Sequence, residues 1–371
     1  MLIEKLLAKE PNLDVLIVVP TQILKDQWLN DYLIPRNLVR NCRVAIINSA
    51  VKEETSCDLL VIDEIHTTPT QTHSSIYTSV DYKMILGLTA TMERLDGKEA
   101  LIKQYAPVCD TITLAEAERE GWVSPVKNYC VLLDVDLSAY NEANRRFNSF
   151  FAFFGFDFQT AMSCATNKLF RARFAKSIGQ PLNVVTANAM GFMKAMRARK
   201  SFVLSHPKKF EIAKKIINAR KDKKIITFSS TIKDAESFGT GFVLHSQKSK
   251  KQNEAIVQQF NTSTTGILHT SKAADAGLDI KGLSVGIIIA GDSSKTRLIQ
   301  RTGRCIRAEE GKKAEMFNLV INNTQELNWF KNANANSSVI YLTESQLDDI
   351  LAGKQVGKEK QVVGGNLKYR Y

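Results

Sequence analysis

Apolar positions fall along this chain in short blocks separated by stretches of helical spacing. Val15-Leu16-Ile17-Val18-Val19 and Leu59-Leu60-Val61-Ile62 are continuous runs without polar alternation. Strands covered on both faces, as in parallel sheets, carry runs of this kind. Further strand-length blocks occupy 43–47, 83–91, 224–228, 241–245, 265–269, 284–290 and 314–320. Helical spacing covers 2–9, the stretch after Pro20-Thr21, 206–220, 231–238, 249–260 and 294–307. Residues 127–136 alternate instead, with Tyr129, Val131, Leu133 and Val135 on one side, and predict a strand that opens a second unit. Strands alternating with helices predict an α/β fold of two doubly wound parallel-sheet lobes. Residues 137–200 show few strand signals and read as a helical insertion in the second lobe.

A break in the pattern at Glu118-Arg119-Glu120-Gly121-Trp122-Val123-Ser124-Pro125 reads as a helix end followed by a connector. The expected organisation is therefore a first lobe at 1–120, a second at 121–345 and a Gly- and Lys-rich tail at 346–371. At 371 residues, 44% hydrophobic and 24% charged, the chain has the make-up of a globular protein. Its apolar runs are strand length, too short to span a bilayer, and its N-terminus lacks the apolar core of a secretory signal. Six scattered cysteines suggest neither disulfides nor zinc, so reduced thiols in a cytoplasm are expected. The net charge of +12 is uneven. Residues 137–200 hold ten Lys/Arg against Glu142 and Asp157 alone, which leaves +8 of the +12 in that segment. Charge so concentrated favours a polyanion, and nucleic acid is the usual one.

The run 59–62 ends in Asp63-Glu64-Ile65-His66. Acids at the C-terminal end of a parallel strand stand where open α/β sheets place their chemistry. The pair suits a nucleoside triphosphatase, with Asp63 holding Mg²⁺ through water and Glu64 polarising the attacking water.

Several motifs in order across residues 15–320 resemble the superfamily 2 helicases and translocases. Val18-Val19-Pro20-Thr21 with Gln27-Trp28 resembles motif Ia, Asp63-Glu64-Ile65-His66 the DExH form of motif II, and Leu88-Thr89-Ala90-Thr91 motif III. Ile225-Ile226-Thr227-Phe228-Ser229 resembles motif IV, Thr270-Ser271 with Gly277-Leu278-Asp279 motif V, and Gln300-Arg301-Thr302-Gly303-Arg304-Cys305-Ile306-Arg307 motif VI. The stretch 86–97 is most similar to XPB-like and phage-encoded DNA repair helicases, which implies a cytoplasmic protein, in the host cytoplasm if it is phage-encoded.

The resemblance implies two RecA-like lobes with ATP and Mg²⁺ as cofactors. It implies ATP-dependent remodelling of duplex or branched DNA in replication or repair, with hydrolysis at the cleft between the lobes. Asp63, Glu64, Gly277, Asp279, Arg304 and Arg307 would meet the nucleotide. Gln300 would sense it, and His66 would relay its state. Thr21, Gln27, Thr270 and Ser271 match nucleic-acid positions, and Arg145, Arg146, Arg171 and Arg173 of the basic insertion join them. Thr89 and Thr91 would couple hydrolysis to lobe movement. The same scaffold acting on RNA is the nearest alternative. The seven phenylalanines of 147–158 are expected to pack helices against the second lobe, with base stacking as the competing use.

One departure stands against these matches. No Gly-x-x-x-x-Gly-Lys-Ser/Thr loop occurs, and the residues before Pro20-Thr21 contain no glycine. Such a loop cradles phosphates with its backbone amides. Residues 2–7 resemble the end of the helix that follows it. The 371-residue chain alone is therefore expected to be inactive or very weak as an ATPase. A gene-start error, a split gene whose separate polypeptide carries the loop, and a nucleic-acid-binding remnant without ATPase activity are all consistent with this.

Overall fold

The computed structural model describes residues 2–90, 92, 97–271, 280–291, 314–334 and 338–354. They form two compact units that meet in the chain at Pro125 and Val126.

The first unit is built on four parallel strands, β1 (Val15–Val19), β2 (Cys42–Ile46), β3 (Thr55–Asp63) and β4 (Val80–Leu88), in the order β2-β1-β3-β4. Helix α1 (Leu2–Lys9) precedes β1, and α2 (Gln22–Gln27) follows it. Every residue of β1 is buried, because successive side chains enter opposite cores. Leu16 and Val18 join Leu60 and Ile62 on one face, while Val15, Ile17 and Val19 join Leu59 and Val61 on the other. Two-sided burial is what turned these strands into continuous apolar runs.

The second unit holds seven parallel strands: β5 (Val126–Leu133), β6 (Lys224–Phe228), β7 (Phe242–Leu244), β8 (Gly266–Thr270), β9 (Val285–Ile288), β10 (Ala314–Ile321) and β11 (Ile340–Leu342). Their order is β11-β5-β10-β9-β6-β8-β7. The parallel two-sheet α/β architecture predicted from the pattern is therefore present. The short edge strand β11 and the following helix Glu344–Leu351 extend this lobe past residue 345. Leu347 is fully buried in the main core, so the segment is packed structure through Leu351.

Between β5 and the helix Pro207–Ala219 lies a helical module of α3 (Ser138–Phe153), α4 (Phe158–Thr166), α5 (Lys168–Ser177) and α6 (Leu182–Leu204). The phenylalanine run packs inside this module and not, as expected, against the rest of the second lobe. Phe147 and Phe154 gather with Ala161, Ala189 and Phe192 in a core of their own. Helix α6 carries Phe192 to the centre, within ring contact of Phe147, Phe151, Phe154 and Phe158. Gly191 beside it leaves room for Phe150, whose ring lies 2.4 Å from where a Cβ would stand. The attachment to the lobe is polar, with Tyr140 Oη accepting from the Gln325 amide at 2.9 Å. Among the described residues no helix is long and apolar enough to cross a membrane.

Candidate functional site

The site grows from the C-terminal end of β3. Because β1 and β3 are neighbours in register, Val18 opposite Ile62, the helix leaving β1 runs over the end of β3. Helix α2 begins at Thr21, whose Oγ1 caps it by accepting from the Leu24 amide at 3.3 Å. Beyond Gln27 the helix widens into a π-helical stretch, Trp28–Leu33. There the Trp28 Nε1 donates to Asp63 Oδ2 at 2.9 Å, and the Glu64 amide donates to Asp63 Oδ1 at 3.0 Å. Burial raises the Asp63 pKa above its ordinary value, and the Glu64 charge adds to this. The Trp28 and Glu64 hydrogen bonds pull the other way by favouring the ionised form.

Glu64 is held in the left-handed region, φ 53° and ψ 47°. A non-glycine residue pays of order 1 kcal/mol or more there. The turn is closed by its neighbours: the Thr67 amide and Thr67 Oγ1 each donate to the Glu64 carbonyl at 2.9 Å. Ile65 anchors it from below, fully buried against Gly87 of β4. Thr68 closes the far side, with Oγ1 donating to the Ile65 carbonyl at 2.8 Å and meeting Tyr77 Oη at 2.6 Å.

This turn puts His66 Nδ1 within 3.1 Å of Glu64 Oε2 and 2.9 Å of Thr89 Oγ1. The imidazole thus lies between the acid pair and the strand end that carries Thr89. The donor set is hard oxygen on a rigid strand end, and it fits Mg²⁺ bound through water by Asp63. Among the described residues no cluster of three His, Cys, Asp or Glu could cage a metal by itself. No phosphate-binding loop accompanies the acids, so the residues present do not by themselves fit ATP.

The nucleic-acid candidates separate into engaged and open groups. Thr21 is a helix cap. Thr270 ends β8 fully buried, with its hydroxyl donating to the Ser271 carbonyl at 3.0 Å, and Ser271 is also buried. Arg146 pairs with Glu142 on its own helix. Arg171 is structural: it donates to the Cys164 and Ala165 carbonyls and closes the end of α4. Arg145 and Arg173 are exposed, and neither forms an ion pair among the described residues. Lys168, Lys176, Lys194, Arg197 and Lys200 share that state. Thr91, Gly277, Asp279, Gln300, Arg304 and Arg307 lie outside the described residues.

Pattern reading passed over four residues that shape the site or its supports. Trp28 was noted only as part of a motif, yet it orients Asp63. Arg199 sits 3.9 Å above the Phe147 ring and donates to Asn144 Oδ1 at 2.9 Å, which ties α6 to α3. Lys209 and Glu326 form a fully buried ion pair behind the C-terminal ends of β9 and β10. There Lys209 Nζ also donates to the Ile289 carbonyl at 2.8 Å, and the Ile321 amide donates to Glu326 Oε2 at 2.9 Å.

Known proteins fit this layout. Residues 44–94 match the family described as type III restriction enzyme, res subunit, and residues 208–309 match the helicase conserved C-terminal domain. The DNA 3'-5' translocase XPB2 of Sulfurisphaera tokodaii is 24% identical over 335 residues, 84% of this chain and 73% of that protein. Putative helicase 22 of a Sulfolobus islandicus filamentous virus is 24% identical over 70% of this chain. The XPB helicase/translocase subunit of transcription and repair factor IIH from Encephalitozoon cuniculi is 23% identical over 83% of it. The chain spans 41% of the viral protein and 44% of the E. cuniculi protein. In fold, it is similar to the Pyrococcus furiosus Hef helicase domain, with a TM-score of 0.51 and 13% identity over 89% of this chain and 91% of that one. It is also similar to S. cerevisiae Dbp5 bound to RNA and ADP BeF3, with a TM-score of 0.55 and 12% identity over 92% and 81%. With an Asp-Glu-x-His turn on the first sheet and these two families matched in order along it, the chain carries helicase domain matches and is similar to superfamily 2 helicases of the XPB-like kind.

Proposed function

We propose that this chain is the motor body of an ATP-dependent DNA helicase or translocase that remodels duplex or branched DNA in replication or repair. The observation that carries this reading is the Asp63-Glu64-His66-Thr89 arrangement at the end of β3 and β4. In a site completed by a phosphate-binding loop, Asp63 would hold Mg²⁺ through water and Glu64 would orient the attacking water. His66 and Thr89 pass the state of the site toward the rest of the motor. DNA is favoured over RNA by the XPB-like relatives. The open cations of the helical module supply contacts to phosphate, which are largely blind to sequence.

In this reading the phosphate-binding part is supplied by residues other than these 371, and the unpaired edge of the first sheet supports that reading. Strand β4 is the edge of that sheet, although Met84-Ile85-Leu86 reads as an interior strand. Met84 and Leu88 remain 42% and 37% exposed there. A parallel strand added beyond β4 ends beside Leu88, about 10 Å across the sheet from β3 at ordinary strand spacing. Its following loop then faces Asp63 at a distance that a phosphate and a hydrated Mg²⁺ can bridge. By this reading the 371-residue chain alone binds nucleic acid but hydrolyses ATP poorly. Competition between duplex DNA and RNA of matched sequence tests the substrate class. DNA should win, and equal or better competition by RNA would move the function to RNA.

A further inference from the structure

Five of the seven phenylalanines in 147–158 are drawn into the module's core or packed against it, while Phe156 and Phe158 remain 55% and 51% exposed. Their place is defined by how α3 and α6 pair. Tyr140 meets Phe202 at a tilt, Asn144 bonds Arg199, and Phe150 lies on Gly191, so the two helices run antiparallel. The end of α3 and the start of α6 therefore share one tip. That tip lies at the far end of the roughly 34 Å of α6 from the sheet. Leu182, 51% exposed, and Ile178, 40% exposed, stand at the same end of α6 and in the turn before it.

The turn itself is costly to build. Gly155 and Phe156 are both left-handed, at φ 62° and 60°. Glycine takes that conformation freely, whereas a phenylalanine does not. Here a bulky ring occupies the second position and points into solvent, with its plane at 83° to Phe151 and centroids 5.5 Å apart. Apart from Asp157, the charge around the tip is positive. No carboxylate occurs between Asp157 and Glu211. Asp157 itself is engaged as the cap of α4, accepting from the Gln159 amide at 3.0 Å. Arg173 and Lys176 of α5 are exposed and have no carboxylate partner among the described residues.

We propose that Phe156 stacks on an unpaired nucleobase while the cations beside it hold the neighbouring phosphates. The module would then take the chain to sites where DNA strands have separated. An exposed aromatic face beside unpaired cations is the pairing that single strands recognise. This rests on the nucleic-acid reading above and adds the class of DNA.

The test uses the 371-residue chain with a blunt duplex and with the same duplex opened into unpaired arms carrying a fluorescent adenine analogue. The arms are expected to raise affinity about tenfold, the effect of one stacked base. Phe156→Ala should remove that gain and leave blunt-duplex affinity and melting temperature unchanged. Phe156→Trp should keep the gain and quench the analogue. Lys194→Glu with Arg197→Glu should weaken both DNAs alike, which reports on the nucleic-acid reading independently. An arm-to-duplex ratio that Phe156→Ala does not move overturns the stacking role and leaves nucleic-acid binding standing. Binding of neither DNA by the unaltered chain overturns both. Capture of anionic vesicles that depends on Phe156, with the DNA ratio unmoved, assigns the tip to a lipid surface instead.

Discussion

Replacing Gly87 by alanine puts a methyl group where the Asp-Glu turn is anchored. The new Cβ falls 2.4 Å from Ile65 Cδ1, 3.1 Å from Cγ2 and 3.3 Å from Cβ. Carbon atoms rest at about 3.5–4.0 Å, so all three contacts are too short. Ile65 is wholly buried and has polar neighbours on both sides, Glu64 strained and His66 bonded to Thr89, so it cannot step aside freely. Overpacking of this kind costs about 1–3 kcal/mol. The natural relief is Ile65→Val, which deletes the atom at 2.4 Å. On its own that change costs about 0.5–1.5 kcal/mol. Combined with Gly87→Ala it should restore part of the loss, a favourable coupling of about 0.5 kcal/mol or more. The assay is urea unfolding followed by Trp28 fluorescence, with Trp122 and Trp329 changed to phenylalanine so that the signal comes from the first unit alone. The local reasoning is refuted if Gly87→Ala unfolds within about 0.5 kcal/mol of the parent, the usual scatter of neutral substitutions. Strictly additive costs in the double variant would refute it equally.

Two further outcomes follow from buried charge. His269 is buried beside Phe238, and its Nδ1 lies 2.9 Å from Thr227 Oγ1. Burial lowers its pKa from 6.5 to about 4. The unfolded chain takes up this proton first, so the associated stability is complete above pH 6.5 and drains away down to about pH 4. The total is about 3 kcal/mol, read as a pH-dependent unfolding midpoint of the second unit that His269→Asn flattens. Lys209→Met leaves Glu326 charged, buried and without its cation, and should cost about 3–5 kcal/mol. Lys209→Met with Glu326→Leu should recover most of that loss in thermal unfolding.

The strands were legible because burial on both faces writes itself as unbroken apolar runs. Their ends were less so. Strand β3 starts at Thr55, where Thr55-Ser56-Cys57 pair with Val80-Asp81-Tyr82, and nothing apolar announces that pairing. Three-residue β11 is too short to form a run. The helix after it carried a readable signal, the Thr343–Gln346 capping box, that hydrophobic pattern alone passes over. At the site, residue chemistry exposed Asp63, Glu64 and His66. Trp28 and Gly87 depend on which strands lie side by side, a matter of topology that spacing along the chain does not carry. In the insertion, the phenylalanine run was plainly core material. Its partner was misjudged because Phe192, distant in sequence, supplies the centre that the run packs around.

The most direct test of the whole account is DNA-stimulated ATP hydrolysis by the 371-residue chain, measured alone and with a strand–loop–helix segment bearing Gly-x-x-x-x-Gly-Lys-Thr joined ahead of Met1. The account predicts negligible turnover alone, DNA-stimulated turnover once the segment is joined, and collapse of that turnover with Glu64→Gln. Strong DNA-stimulated hydrolysis by the 371 residues alone, or turnover in the joined chain that survives Glu64→Gln, would contradict it.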